Sequence, residues 1–132
     1  MSGDIPHGIE QPRVEEVVER DRLSERLTEE WRPYLDRLLE WYKDPEQVRD
    51  EFIRPPSHGV VRAALSLASR LRSQGLPPPT SIEPDGVGGI VLEREVGSLI
   101  SALEIAANGN ITLAKYDSDK FLMRVELGEV PV

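Results

Sequence analysis

The run Pro77-Pro78-Pro79 divides this chain into two halves with different hydrophobic periods. Before it, apolar residues recur at steps of three and four; after it, they alternate. Proline fixes φ and has no backbone donor, so three in succession make a stiff, extended connector that belongs to neither half. The first half is therefore predicted helical and the second β. Strand follows strand with no helix between them, which predicts an α+β protein with an antiparallel meander covered by helices on one face. The length of 132 residues fits one domain that buries roughly two thirds of its unfolded surface.

In the helical half, residues 1–12 carry two prolines and two glycines and read as a flexible leader. A helical region spans 13–76 in about four segments. Val14, Val17, Val18, Leu27, Trp31, Leu35, Leu38 and Tyr42 set the first pattern. Pro33 removes a donor and predicts a kink or break near Thr28–Arg32. Asp44-Pro45-Glu46-Gln47 has the cap, first-turn proline and capping-box residue of a new helix, ending before Arg54-Pro55-Pro56. Ser57 then caps a helix from His58 to Ser73. Its broad apolar face (Val60, Val61, Ala64, Leu65, Leu67, Ala68, Leu71) marks it as the central one, with Gly75 as its stop.

Beyond the connector (77–81), the meander occupies 82–130 in four to five strands and shares one core with the 57–76 helix. Ile90, Leu92, Leu99, Leu103, Ile105, Ile111, Leu113, Phe121, Met123, Val125 and Leu127 form one apolar set, so one face is expected to be buried. A two-residue Val96-Gly97 loop would set Leu92 against Ser101 and Ile90 against Leu103. A three-residue Ala107-Asn108-Gly109 loop with left-handed glycine sets Ile105 against Ile111. The last connection, Tyr116 to Lys120, is predicted as a polar five-residue loop.

The stretch from Pro77 through Gly88-Gly89-Ile90-Val91-Leu92-Glu93, followed by Ala102-Leu103-Glu104-Ile105, resembles a loose group of small bacterial proteins. In these a proline-rich linker leads to Gly-Gly-x-x-Leu-Glu and a Leu-Glu-Ile strand, after an alanine-rich helix like Val60–Leu71. The resemblance covers Pro55 to Tyr116. It implies the same meander, lends no catalytic residues, and connects the chain with proteins encoded beside toxins or defence proteins.

Several chemistries are set aside by composition. The chain has no cysteine, so disulfides, thiolate catalysis and thiolate metal sites do not arise. His7 and His58 are the only histidines, and no metal or cofactor is expected. A formal charge of −8 disfavours nucleic acid and anionic membranes. No apolar run approaches a bilayer span, and the N-terminus lacks a signal pattern, so a cytoplasmic location is expected. Residues 57–76 hold Arg62, Arg70 and Arg72 and no acid. They read as a basic helix against an acidic neighbour, with a phosphate or RNA site as the alternative.

Two groups remain as candidate partner-binding residues. Leu27, Tyr34 and Trp41 repeat every seven residues, as do Trp31 and Leu38. The cluster Trp31, Tyr34, Leu38 and Trp41 can anchor a partner or pack on the chain's own sheet. Glu93, Glu95 and Glu104 point away from the apolar set. As a solvated acidic face they could steer the chain onto a basic partner, whereas paired-carboxylate catalysis needs a cleft that a small meander lacks. The expected function is a non-catalytic protein-binding module, with an antitoxin- or immunity-like inhibitor as its more specific form. The alternatives are a structural homo-oligomer or scaffold subunit joined through the helical seam and, less favoured, a small carboxylate-dependent enzyme.

Overall fold

The computed structural model describes residues 14–49 and 53–132. In chain order its elements are α1 (Val14–Lys43), a 3-10 turn (Pro45–Val48), α2 (His58–Ser73) and five strands. The strands are β1 (Ser81–Pro84), β2 (Ile90–Val96), β3 (Leu99–Ile105), β4 (Asn110–Asp117) and β5 (Lys120–Glu129). They pair antiparallel in sequence order, so the sheet is a five-stranded meander and the class is α+β. The leader, His7 and residues 50–52 lie outside the described residues.

The helical half is simpler than its sequence suggests. Pro33 sits inside one continuous helix and does not break it. Pro33 and Glu29, whose carbonyl loses its partner, are both exposed, so water can satisfy the freed group. Meanwhile Trp31 and Leu38, on either side of the proline, are fully buried and anchor the residues on both sides of it in the core. Asp44 does not cap a helix through its side chain; Pro45–Val48 is a single 3-10 turn. The Gln47 amide instead donates back to the carbonyls of Glu40 at 2.6 Å and Asp44 at 2.9 Å, closing the end of α1. The described helices are thus two, not four.

α2 follows its sequence signals closely. Ser57 Oγ accepts from the Val60 amide at 3.2 Å. At the other end Leu76 N donates to Leu71 O and Gly75 N to Arg72 O, with Gly75 at φ +77°. That is a Schellman stop. The Trp31 indole then donates to Leu76 O at 2.9 Å, tying the connector to α1.

In the sheet, Ile105 faces Ile111 as expected, across a turn with Gly109 at φ +92°. The β2–β3 register differs from expectation by two residues: Leu92 faces Leu103 and Ile90 faces Ile105, because the loop is Gly97-Ser98. Gly97 has φ +62°, the conformation a primed turn requires at its first central position. A slip of two preserves the faces. β4 and β5 run closer than expected, Asp117 facing Lys120 across Ser118-Asp119. β5 also carries two irregularities, at Leu122 and Leu127. The first moves Phe121 out of the expected apolar set: it pairs with Tyr116 on the opposite face, the rings 5.9 Å apart.

The core joins Trp31, Leu38 and Trp41 of α1 with Val60, Val61, Ala64 and Ala68 of α2 and with Ile82, Ile90, Leu92 and Ile105 of the sheet. These four sheet residues share one face by register, called here the core face. The C-terminal segment returns to α2. Val130 N donates to Gly109 O, and a Cβ on Gly59 would lie 2.6 Å from Val132 Cα. Only glycine permits that approach.

Candidate functional site

The structure separates the two groups of candidate residues. Trp31, Leu38 and Trp41 are buried at 1%, 0% and 4% exposure and Tyr34 is half-buried. They pack on the chain's own sheet and α2. Arg37 covers the Trp41 ring, its guanidinium carbon 5.0 Å from the centroid. A side chain consumed by the core cannot anchor a partner without opening the fold, so this cluster does not form a docking surface.

Glu93, Glu95 and Glu104 do lie on the face opposite the core, by register with Ala102, Ile100 and Thr112. Glu95 is exposed, and Glu93 and Glu104 are half-buried. Glu104 is engaged by Arg124 at 3.0 Å and by the Thr112 hydroxyl at 3.2 Å. The small side chains of Ala102 and Ala114 between them, both buried, leave room for Arg124 to reach across. One of the three carboxylates is therefore neutralised within the sheet. Register also brings Glu126 to this face, so it stays acidic overall.

The side the sequence did not single out is the far half of the core face. Three rows cross the sheet there. Ile90, Ile105 and Ile111 form the first, Leu92, Leu103, Leu113 and Val125 the second, and Arg94, Ser101, Lys115 and Met123 the third. Burial falls along each row. Leu92 is buried at 4%, Leu103 and Leu113 are half-buried, and Val125 is 41% exposed. The cause is placement: α2 packs against β2 and β3, and β4 and β5 extend past it. Met123, Val125 and Leu127 are left exposed, as is Leu99 at the turn end of β3.

Two hollows mark the seam where the helices end and this bare sheet begins. One, of about 340 Å³, lies among Trp31, Leu71, Leu76, Leu103 and Leu113, with Arg94 and Lys115 at its border. The other, of about 260 Å³, lies among Ala63, Leu67, Ile111 and Val130, bordered by Arg62 and Arg70. Arg94 donates to Pro78 O at 2.6 Å, which fixes the connector as one wall. Among the described residues Arg62, Arg70 and Lys115 make no ion pair.

Elsewhere the described residues carry ordinary surface chemistry. At the 3-10 turn the Arg49 side chain hydrogen-bonds Glu46 and holds its carboxyl below the usual range, and Glu46 in turn raises Arg49. Both are fully exposed. His58 meets the Tyr42 ring edge-on at 5.6 Å. The Gly86–Gly89 loop is closed by the Asp85 carboxylate, which accepts from Val87 and Gly89 N–H at 2.8 and 2.7 Å. No group of His, Asp or Glu suited to a metal ion occurs among the described residues. No described helix is long and apolar enough to cross a membrane.

Comparison with protein-family models, curated proteins and solved structures returned no match for this chain.

Proposed function

We propose that this chain is a protein-binding module that acts by covering a partner, as an antitoxin- or immunity-like inhibitor does. The observation that carries the proposal is the contiguous apolar surface on the far half of the core face: Met123 and Val125, exposed beside the half-buried Leu103, Ile111 and Leu113. Apolar patches of this kind, rimmed by polar residues, mark sites where another macromolecule completes the core. The proposal therefore moves the contact from the aromatic helix to the open sheet. A second reading, a homo-oligomer, draws on β5 itself, a free sheet edge whose residues are exposed from end to end. Such an edge can template pairing with a second copy.

The test is a double substitution, Met123→Lys with Val125→Lys, which places the residue most tolerated on natural edges where the bare face lies. Stability should change by no more than about 1 kcal/mol. Purified from its native cells, the parent chain is expected to retain a stoichiometric partner that the double variant loses, while Glu93→Gln/Glu95→Gln keeps it. A chain that retains nothing in either form, and is monomeric by light scattering, would remove both readings.

A further inference from the structure

The proposal of a protein partner leaves its chemistry open, and the charges around the bare face define it. We infer that the partner presents an acidic segment with an apolar stripe, seated along the seam between α2 and β4; this rests on the protein-binding reading above. The chain is acidic overall at −8, yet the walls of this seam are not. α2 carries Arg62, Arg70 and Arg72 and no acid. The core-face positions of β2 to β5 hold Arg94, Lys115 and Lys120 against the single acid Asp117, which register places opposite Lys120 at the far turn. The acids Glu93, Glu95, Glu104 and Glu126 fall on the other face.

The row Arg94–Ser101–Lys115 is where the apolar alternation of the core face stops, and it borders the larger hollow. Leucine-sized groups fit the hollows, and carboxylates beside them would meet Arg94 and Lys115 at one end and Arg62 and Arg70 at the other. Exposed pairs of this sort add modestly to affinity but strongly to discrimination of charge. The apolar floor favours a peptide over a nucleic acid, whose phosphates would use the cations and leave the leucines bare.

The experiment titrates the full chain with three probes: a helical peptide with leucines on one stripe and glutamates elsewhere, its counterpart with lysines for glutamates, and a single-stranded RNA. The Trp31 indole, which lines the larger hollow, supplies an NMR and fluorescence signal. The glutamate peptide should bind and the lysine peptide should not. Arg62→Gln/Arg70→Gln should weaken the glutamate peptide by about three- to tenfold, with a loss of similar size in the parent at high salt. Among the described residues that pair makes no ion pair, so little stability is expected to be lost; Arg94→Gln/Lys115→Gln tests the other end.

Equal binding of both peptides would overturn the charge assignment while leaving a protein-docking face. RNA binding without peptide binding would overturn it in favour of nucleic acid. A dimer dispersed by Met123→Lys/Val125→Lys would assign the face to a second copy. Failure of every probe would overturn the inference, and the cell-purification result above would then decide separately whether the face binds any protein.

Discussion

Trp31→Ala is expected to lower stability by about 3–5 kcal/mol, a large share of what a domain of this size possesses. Trp31 is 1% exposed and stands where α1, α2 and the sheet meet. Removing its ring leaves a cavity that both helices border, and adjacent backbone relaxes into such spaces only in part. Its indole N–H also goes, stranding the Leu76 carbonyl it caps at the joint that positions the connector. Trp31→Phe separates the two contributions: it keeps most of the volume and should cost about 1–2 kcal/mol. Leu39 on the same helix is 45% exposed, and Leu39→Ala should fall within about 0.5 kcal/mol of the parent. Urea unfolding of the three variants makes the comparison. If Trp31→Ala and Leu39→Ala proved equally mild, the aromatic cluster would not be the core, and its partner-anchoring role would be open again.

Gly109→Ala is the second large effect, expected at about 2–4 kcal/mol from a single methyl group. Two costs combine. At φ +92° a Cβ meets the neighbouring carbonyl, and the built Cβ would also collide with Val130 O. The Val130 N–H bond to Gly109 O cannot survive the displacement, so the C-terminal segment should detach from the β3–β4 turn. Amide exchange at Val130 should therefore accelerate along with the loss of stability. By contrast a Cβ on Gly97 meets nothing within 4 Å. Gly97→Ala then pays only the backbone strain, about 1–2 kcal/mol, which isolates the contact term. Equal losses at the two positions would mean that Val130 is not held where the structure has it.

How much of this was legible in the sequence depends on the range over which each feature is decided. α2 was legible because its signals are local: Ser57 capping Val60, Gly75 turning left-handed and a wide apolar face all lie within a few residues. The same holds for the Ile105–Ile111 register, which the left-handed Gly109 fixes. Pro33 does not break the helix because its local cost is outweighed by burial of Trp31 and Leu38 on either side, a tertiary effect no local rule contains. Gly97 fits a turn equally well as first or second residue, and the sequence offered nothing to choose between them. The shift at Leu122 that turns Phe121 over was invisible for a related reason: alternation assumes an unbroken ladder.

The bare half of the core face was missed on different grounds. Alternation in β4 and β5 states that Leu113, Met123 and Val125 belong on an apolar face. It does not state whether the chain's own helices are wide enough to cover it. α1 and α2 are not, and coverage ends near β3. The two tryptophans drew attention as the largest apolar side chains, yet size is what draws them into the core. The basic stripe Arg62 and Arg70 was visible as a run without acids. Its meaning required knowing that it borders the bare sheet.

Hydrogen–deuterium exchange of the complex with the purified partner tests the central claim most directly. Protection on binding is expected along Lys120–Glu129 and β4, extending to the turns of α2 that carry Arg62 and Arg70. Protection confined to β2 and β3 around Glu93, Glu95 and Glu104, with β4, β5 and α2 exchanging as in the free chain, would contradict it.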